Sequence, residues 1–372
     1  MAAKGAQTAK VGDTQRARCA HSRGGTTVTA PVGGGLRPTI AEIATRAGVS
    51  SGAVSYALNG RPGVSDATRA RILLIAKEVG WVPSSAARAL RGGGAATVGL
   101  VITREPSDLG VEPFFMSFVA GIEQVISDRG FALMLQVTPR KEQELATYRT
   151  WWSARRVDGI FLTDLKVDDE RLDLLASIGL PAVVVGDPSY AEGATTVWSD
   201  DAQAARAAVT RLHELGHLRI AHVAGPASFV HTRVRSEAIR RECNRRGMQL
   251  VGEVNTDYTL ASGTQACEVV LSQPEPPTAI VFDNDVTALA GVRVARAAGL
   301  RVPEDLSILA WDDSPLCEVS EPPLSALRRD VLAYGASAAT VLLDLVQHGT
   351  ASSVRTEGAT LVERRSLARA RH

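Results

Sequence analysis

Four cysteines in 372 residues, Cys19, Cys243, Cys267 and Cys317, show no paired spacing for a disulfide framework or a zinc site. They read as reduced thiols of a cytoplasmic protein. No uninterrupted apolar run reaches the roughly 18 residues a membrane span needs. The first 36 residues, rich in Gly, Ala, Thr and Arg, hold no hydrophobic stretch fit for a signal peptide and suit a disordered tail. The glycine clusters at 33–35 and 92–94 follow no strand in a dinucleotide-binding arrangement, so they read as linker. Neither Cys267 nor the serines have a strand-to-helix elbow with a base partner. His213 and His217 are four apart, but Gly216 is expected to end the helix between them, leaving His217 as a structural turn residue. No catalytic centre, metal or cofactor is expected.

Net charge is also scarce, at +1, but it is unevenly spread. Residues 1–95 hold 13 Lys/Arg against 4 Asp/Glu, a net of +9, and residues 96–372 hold 28 against 36, a net of −8. A basic head on an acidic body points to a polyanion partner for the head, because Lys and Arg release condensed counterions from phosphates.

Within the head, Thr39–Asn59 spells a helix-turn-helix. Thr39 with Glu42 forms a capping box, Ile40, Ile43 and Ala44 line one helix face, and Gly48 supplies the turn. Ser50 caps a second helix with Ala53, Val54, Ala57 and Leu58 on its apolar side, and Asn59-Gly60 ends it. Ser65 caps a third helix over 66–79, with Ile72, Ile75, Ala76 and Val79 inward and Arg69, Arg71 and Lys77 outward. The segment from Ser84 is too short to be a stable helix alone, which suits a hinge. Two short helices joined by a Gly turn also occur as plain helical hairpins; the spacing of cap, turn and second cap matches the DNA-binding motif.

The stretches IAEIATRAGVS, AVSYALNGRPGVS, TRARILLIAKEVGWVPSSAARAL and ATVGLVI resemble the LacI/GalR family of transcriptional regulators, and the resemblance runs from Arg37 over about nine tenths of the chain. It implies an all-α helix-turn-helix head at 37–83, a hinge helix and linker at 84–95, and an α/β effector domain at 96–372. It also implies a homodimer on near-palindromic double-stranded operator DNA. Thr39, Ser50, Ser51, Gly52, Ser55, Tyr56 and Asn59 would then face DNA from the head. Ser84, Ala87, Arg88 and Leu90 would do so from the hinge, with Leu90 as a minor-groove wedge. Tyr56 stands where many members carry Arg, the usual bidentate reader of guanine, and Gly52 offers no side chain at a base-reading position. The operator sequence should differ accordingly.

From Ala96 the pattern alternates. Apolar runs at 97–103, 131–137, 157–163 and 181–186 are separated by amphipathic stretches at 115–128, 141–155 and 168–178. After a helix over 201–215 a second set follows at 219–224, 249–254, 279–282 and 306–311. Such repetition makes two doubly wound parallel-sheet lobes with a cleft at their facing strand ends, a layout similar to periplasmic sugar-binding proteins. The expected division is 96–215 with 330–348 for one lobe and 216–329 with 350–368 for the other.

The family resemblance places Arg235, Asp312, Asn284, Tyr258, Phe115 (or Phe114) and Asp200 at a small-molecule effector. An arginine fork and carboxylates suit vicinal hydroxyls, and an aromatic face suits the apolar side of a sugar ring. The implied function is a DNA-binding regulator, a repressor in most members, controlled by a sugar or sugar derivative. A nucleobase or nucleoside corepressor, or a sugar-binding protein with no regulatory role, remain the alternatives.

Overall fold

A computed structural model describes residues 38–81, 94–105 and 112–371. The tail expected at 1–36 and the hinge positions Ser84, Ala87, Arg88 and Leu90 lie outside the described residues. The chain divides into two compact units between residues 82 and 83.

The first unit consists of α1 (Ile40–Ala47), α2 (Ser51–Leu58) and α3 (Asp66–Glu78). Thr39 accepts the Glu42 N–H at 3.2 Å, but the Glu42 carboxylate pairs forward with Arg46 at 2.7 Å, so only half of the expected capping box forms. Gly48 takes φ +63° and ends α1, donating to the Ala44 and Thr45 carbonyls, and Ser50 caps α2 through the Ala53 N–H. Ile43, Ala44, Ala47, Val54, Ala57, Ile72 and Ala76 make the core. Ile75 and Val79 pack only partly buried against it, and the third helix stops one residue earlier than its apolar spacing suggests.

In the second unit the elements run β1 (Thr97–Thr103), α4 (Pro113–Ile126), β2 (Ala132–Thr138), α5 (Lys141–Ser153), β3 (Gly159–Leu162), α6 (Glu170–Ile178), β4 (Ala182–Val185) and β5 (Thr196–Trp198). They continue with α7 (Asp201–Glu214), β6 (Arg219–Ala224), α8 (Val230–Arg246), β7 (Gln249–Asn255), α9 (Leu260–Leu271), β8 (Ala279–Phe282), α10 (Asp285–Ala297), β9 (Ser307–Trp311), α11 (Pro315–Val319) and β10 (Ser325–Arg328). The unit ends with α12 (Val331–His348), β11 (Val354–Arg355) and β12 (Thr360–Val362).

Among the described residues these strands form two sheets, ordered β11-β5-β4-β3-β1-β2 and β12-β10-β9-β8-β6-β7. Every pairing is parallel except β10 with β12. In each lobe the order reverses beside the first strand, the switch point where such sheets take ligands.

The lobe boundaries differ from the expected ones. Ala205, Ala208, Val209 and Leu212 of α7 share a core with Ile220, Ile239 and Trp311, so α7 belongs to the second lobe and the first crossing falls at Ser199–Asp200 rather than near 215. β11 pairs with β5 and keeps the chain in the first lobe to about 355, past the expected end at 348. The three-residue β5 was absent from the sequence reading because so short a run shows no periodicity. Helix α12 is long and apolar enough by length and composition to cross a membrane, yet Tyr334, Ala338, Ala339 and Leu342 are buried in the first lobe's core. It crosses α4 at glycines, since a Cβ on Gly121 would collide with the Leu332 carbonyl and one on Gly335 with that of Phe118.

Candidate functional site

Two surfaces carry candidate chemistry, one on each unit. On the head, capping by Ser50 leaves Ser51, Gly52, Tyr56 and Asn59 exposed on one side of α2, while Val54 and Ala57 turn into the core. Tyr56 is 46% exposed, and its ring lies against Gly63. Gly52 has ordinary helical φ, and a Cβ there would meet only the Ser50 hydroxyl at 3.7 Å. The fold therefore gives no reason for glycine at this position. Arg69 donates to the Arg61 carbonyl at 2.7 Å and ties α3 to the loop after α2, so it is not a free outward cation.

The second surface is a cleft of about 720 Å³ between the two lobes. It is built from residues within two positions of the strand ends: Asp164 after β3, Asp187 after β4, Asp283 after β8, Asp312 after β9 and Arg329 after β10. Arg235 reaches it from α8. Its guanidinium carbon lies 3.8 Å from the Trp311 ring centroid, Nη2 pairs with Asp201 at 2.8 Å, and Nη1 donates to the Asp283 carbonyl at 3.2 Å. Burial disfavours the Asp201 charge, but Arg235 and Arg329 more than offset it and hold the carboxyl at about 2.

Asp283 is itself anchored. His222 Nε2 lies 2.9 Å from its Oδ1, and the Gly225 N–H donates to its Oδ2 at 2.9 Å. Asp312 adopts φ +60°, in the left-handed region that aspartate tolerates better than most non-glycine residues, and faces Arg329 at 3.9 Å. Its pKa is raised by burial, against the pull of Arg329 and Arg235.

In the same lobe, the Tyr258 hydroxyl and His231 Nε2 are 2.8 Å apart with their rings nearly parallel. Burial, and then the charge of Arg235, lower the His231 pKa to about 4, so the imidazole is neutral at pH 7. Phe114, Leu165, Val230, Val234 and Leu332 supply an apolar side. At the rim the lobes touch directly: the Val230 N–H donates to the Leu165 carbonyl at 2.8 Å and the Val167 N–H to the Ser228 carbonyl at 3.2 Å. Such a cleft can hold a donor-rich small molecule against an apolar wall.

Residues 39–84 match the description "Bacterial regulatory proteins, lacI family", and residues 209–367 match "Periplasmic binding protein-like domain". The HTH-type transcriptional regulator CelR of Thermobifida fusca is 35% identical over 323 residues, spanning 86% of this chain and 95% of CelR. The chain belongs to the LacI family. Among solved structures, a CelR–cellobiose complex is 32% identical with TM-score 0.68, covering 89% of this chain and all of that one. A lac repressor dimer bound to operator and an anti-inducer is 25% identical with TM-score 0.78, covering 89% and 99%. As a LacI-family member the protein is a DNA-binding transcriptional regulator.

Of the effector positions named from the LacI-family resemblance, Arg235, Asp312, Asn284 and Tyr258 line the cleft, and two others do not. Asp200 caps α7 through the Gln203 N–H at 2.8 Å and pairs with Arg355 at 2.9 Å, so its neighbour Asp201 is the carboxylate that faces the cleft. Phe115 is buried in the first lobe's core, and Phe114 lines the cleft in its place. Asn284 turns its amide oxygen to the Thr287 N–H at 2.9 Å as the cap of α10, so only part of its hydrogen-bonding capacity is free. His217 is buried, with Nδ1 2.8 Å from the Thr278 hydroxyl and Nε2 3.1 Å from the Ala368 carbonyl, which is a structural role.

His231, Asp201, Arg329 and Asp164 were missed. Two signals were available. His231 lies four residues before Arg235, hence on the same helix face. Asp164, Asp187, Asp283 and Asp312 each closely follow an apolar run, where strand ends line a switch-point cleft.

Proposed function

We propose that this LacI-family regulator is a homodimeric, cytoplasmic repressor that binds a near-palindromic operator and is controlled by a sugar held between its lobes. One observation carries the reading: Arg235, paired with Asp201 and stacked on Trp311, shares a single cleft with Asp312, Tyr258 and an apolar wall. That combination suits hydroxyls on one side of a sugar ring and its C–H face on the other. The likeness to CelR, solved with cellobiose, supports a carbohydrate effector. On the DNA side, Ser51, Gly52, Ser55, Tyr56 and Asn59 form the base-facing surface. The hinge positions Ser84, Ala87, Arg88 and Leu90 complete it from the family resemblance alone. In this reading the regulator releases its effector unchanged, as its likeness to transcriptional regulators supports.

Thermal-shift screening of the full chain against disaccharides, monosaccharides and nucleosides tests the effector, with Arg235→Ala as control. Fluorescence anisotropy on DNA from its own promoter region tests the operator side. A sugar is expected to raise the melting temperature of the wild type only and to change the DNA affinity. A nucleoside acting in its place, or an equal shift in Arg235→Ala, overturns the sugar assignment. Equal affinity for unrelated DNA at every salt concentration overturns specific repression.

A further inference from the structure

The cleft holds more carboxylates than it neutralises. Among its described lining residues nine are Asp or Glu, against the three guanidiniums of Arg235, Arg328 and Arg329. All three are already committed. Arg235 pairs with Asp201 at 2.8 Å, Arg328 with Asp313 at 2.7 Å, and Arg329 lies 3.7 Å from Asp201 and 3.9 Å from Asp312. Behind the wall, Arg104 is shared between Asp164 at 2.9 Å and Glu112 at 3.2 Å. His231 is uncharged at neutral pH. No lining cation is left over for an anionic ligand.

What is left over are acceptors. Asp285 Oδ2 and Asp312 Oδ1 are buried without a hydrogen-bond partner, and Asp285 as a whole is 2% exposed. The two residues follow the neighbouring strands β8 and β9. Unpartnered buried acceptors are what a hydroxyl or ammonium donor of a bound molecule would satisfy. Arg329 Nε and Arg104 Nη2 are unpartnered donors, but each guanidinium already faces two carboxylates. Burial raises two of the lining carboxyls, with like charge as a lesser contribution. Burial, and then the charge of Asp312 against a hydrogen bond from Ser314, puts Asp285 at about 6. Burial, and Asp164 against the pull of Arg104, puts Glu112 at about 7. A further anion in this low-dielectric space would meet like charge on both walls.

We infer that the effector presents hydroxyl or ammonium donors and no anionic group: an uncharged or amino-bearing sugar, as opposed to a sugar phosphate, a uronate or another acid. This rests on the carbohydrate reading of the cleft and narrows it by charge.

The test uses matched sets on the full chain by calorimetry: cellobiose, maltose and lactose, each beside its amino, uronic-acid and 6-phosphate derivatives. The parent or amino form is expected to bind, with the acid and phosphate roughly thirty-fold weaker or more. In Asp187→Asn, which keeps the acceptor for the Ser189 N–H, that ratio is expected to narrow several-fold. An acid or phosphate binding within about threefold of its parent overturns the charge inference and leaves the sugar reading standing. Failure of every form of these sugars, together with every monosaccharide and disaccharide of the thermal-shift screen, overturns the sugar reading itself, and the inference with it.

Discussion

Arg235 spans two partners at once: its guanidinium lies on the face of Trp311, 3.8 Å from the ring centroid, while Nε and Nη2 both donate to Asp201 Oδ2 at 2.9 and 2.8 Å. Only a planar, delocalised cation can stack and fork together, so lysine is no substitute here. Both contacts lie within the second lobe, since Arg235 sits on α8, Asp201 on α7 and Trp311 on β9. The pair is therefore available as a rigid anchor before any ligand arrives.

Adjacent aspartates should behave differently for this reason. Asp201→Ala leaves a buried guanidinium short of its carboxylate, and breaking such a pair costs about 3–5 kcal/mol. Asp201→Asn keeps an acceptor and folds more readily, and it still loses most effector affinity. Asp200→Ala removes a helix cap worth about 1 kcal/mol and an exposed pair with Arg355, while effector affinity stays near wild type. Calorimetric titration of the three variants with a bound sugar is the measurement. Loss of binding in Asp200→Ala with retention in Asp201→Asn would reverse the assignment.

These two positions also show how far the sequence could be read. Strand–helix alternation located eight of the twelve described strands to within a residue or two, because parallel strands buried on both faces leave apolar runs that end at charged residues, and it passed over the short β5, β10 and β11. Arg235 and Asp312 came from the family resemblance instead, and both line the cleft. It failed where neighbours compete. Asp200 is taken up by the cap, so the next residue turns inward. At Phe114-Phe115, the 115, 118, 122, 126 spacing selects Phe115 for the core and leaves Phe114 for the cleft. The first lobe crossing was misplaced because the apolar face of α7 fits either sheet in one dimension. Which sheet it covers is decided by long-range contacts with Ile239 and Trp311.

Gly52 offers a test of the head in which stability and recognition move in opposite directions. Its site is open to a Cβ and helical, so Gly52→Ala should stabilise the head by about 0.5–1 kcal/mol through backbone entropy. If the DNA approaches closely at that point, the methyl group weakens operator binding and leaves affinity for random duplex unchanged. The expected result is a higher melting temperature with weaker specific binding. A stabilised head with undiminished operator affinity would remove Gly52 from the interface.

His231 should dominate a mildly acidic loss of stability. It faces Arg235 on its own helix, Asp201, Asp283 and Tyr258 within its lobe, and Asp164 from the other lobe. Its folded pKa of about 4 lies below the unfolded value of about 6.5. The unfolded chain therefore takes up the proton first. The contribution is fully present above pH 6.5 and is lost as pH falls through the folded value. With the ring half-buried, the effect is on the order of 1–3 kcal/mol. Asp285 and Glu112, whose pKa values are raised, act with the opposite sign over part of this range, but they are common to wild type and variant. Melting temperatures of wild type and His231→Gln between pH 7.5 and 4.5 should converge as pH falls. Parallel curves would assign the acid sensitivity elsewhere.

The contact at the cleft rim predicts a variant that loosens the lobes without unfolding either one. Val230 is the first residue of α8, where proline is well tolerated because the first helical N–H has no partner within its own helix. Phe229 before it already has the extended backbone that proline demands, at φ −84° and ψ 136°. In this protein that first N–H is spent on the Leu165 carbonyl of the other lobe. Val230→Pro deletes the donor. Val230→Ala keeps it and trims only the side chain, so the difference between the two variants isolates the inter-lobe bond. One hydrogen bond of about 0.5–1.5 kcal/mol corresponds to roughly two- to twelvefold in affinity. Sugar binding should therefore be weaker in the proline variant than in the alanine variant by that factor, with similar melting temperatures for the two unliganded proteins. Equal affinity in both variants would mean that the bridge between Leu165 and Val230 contributes nothing to the state that holds the effector.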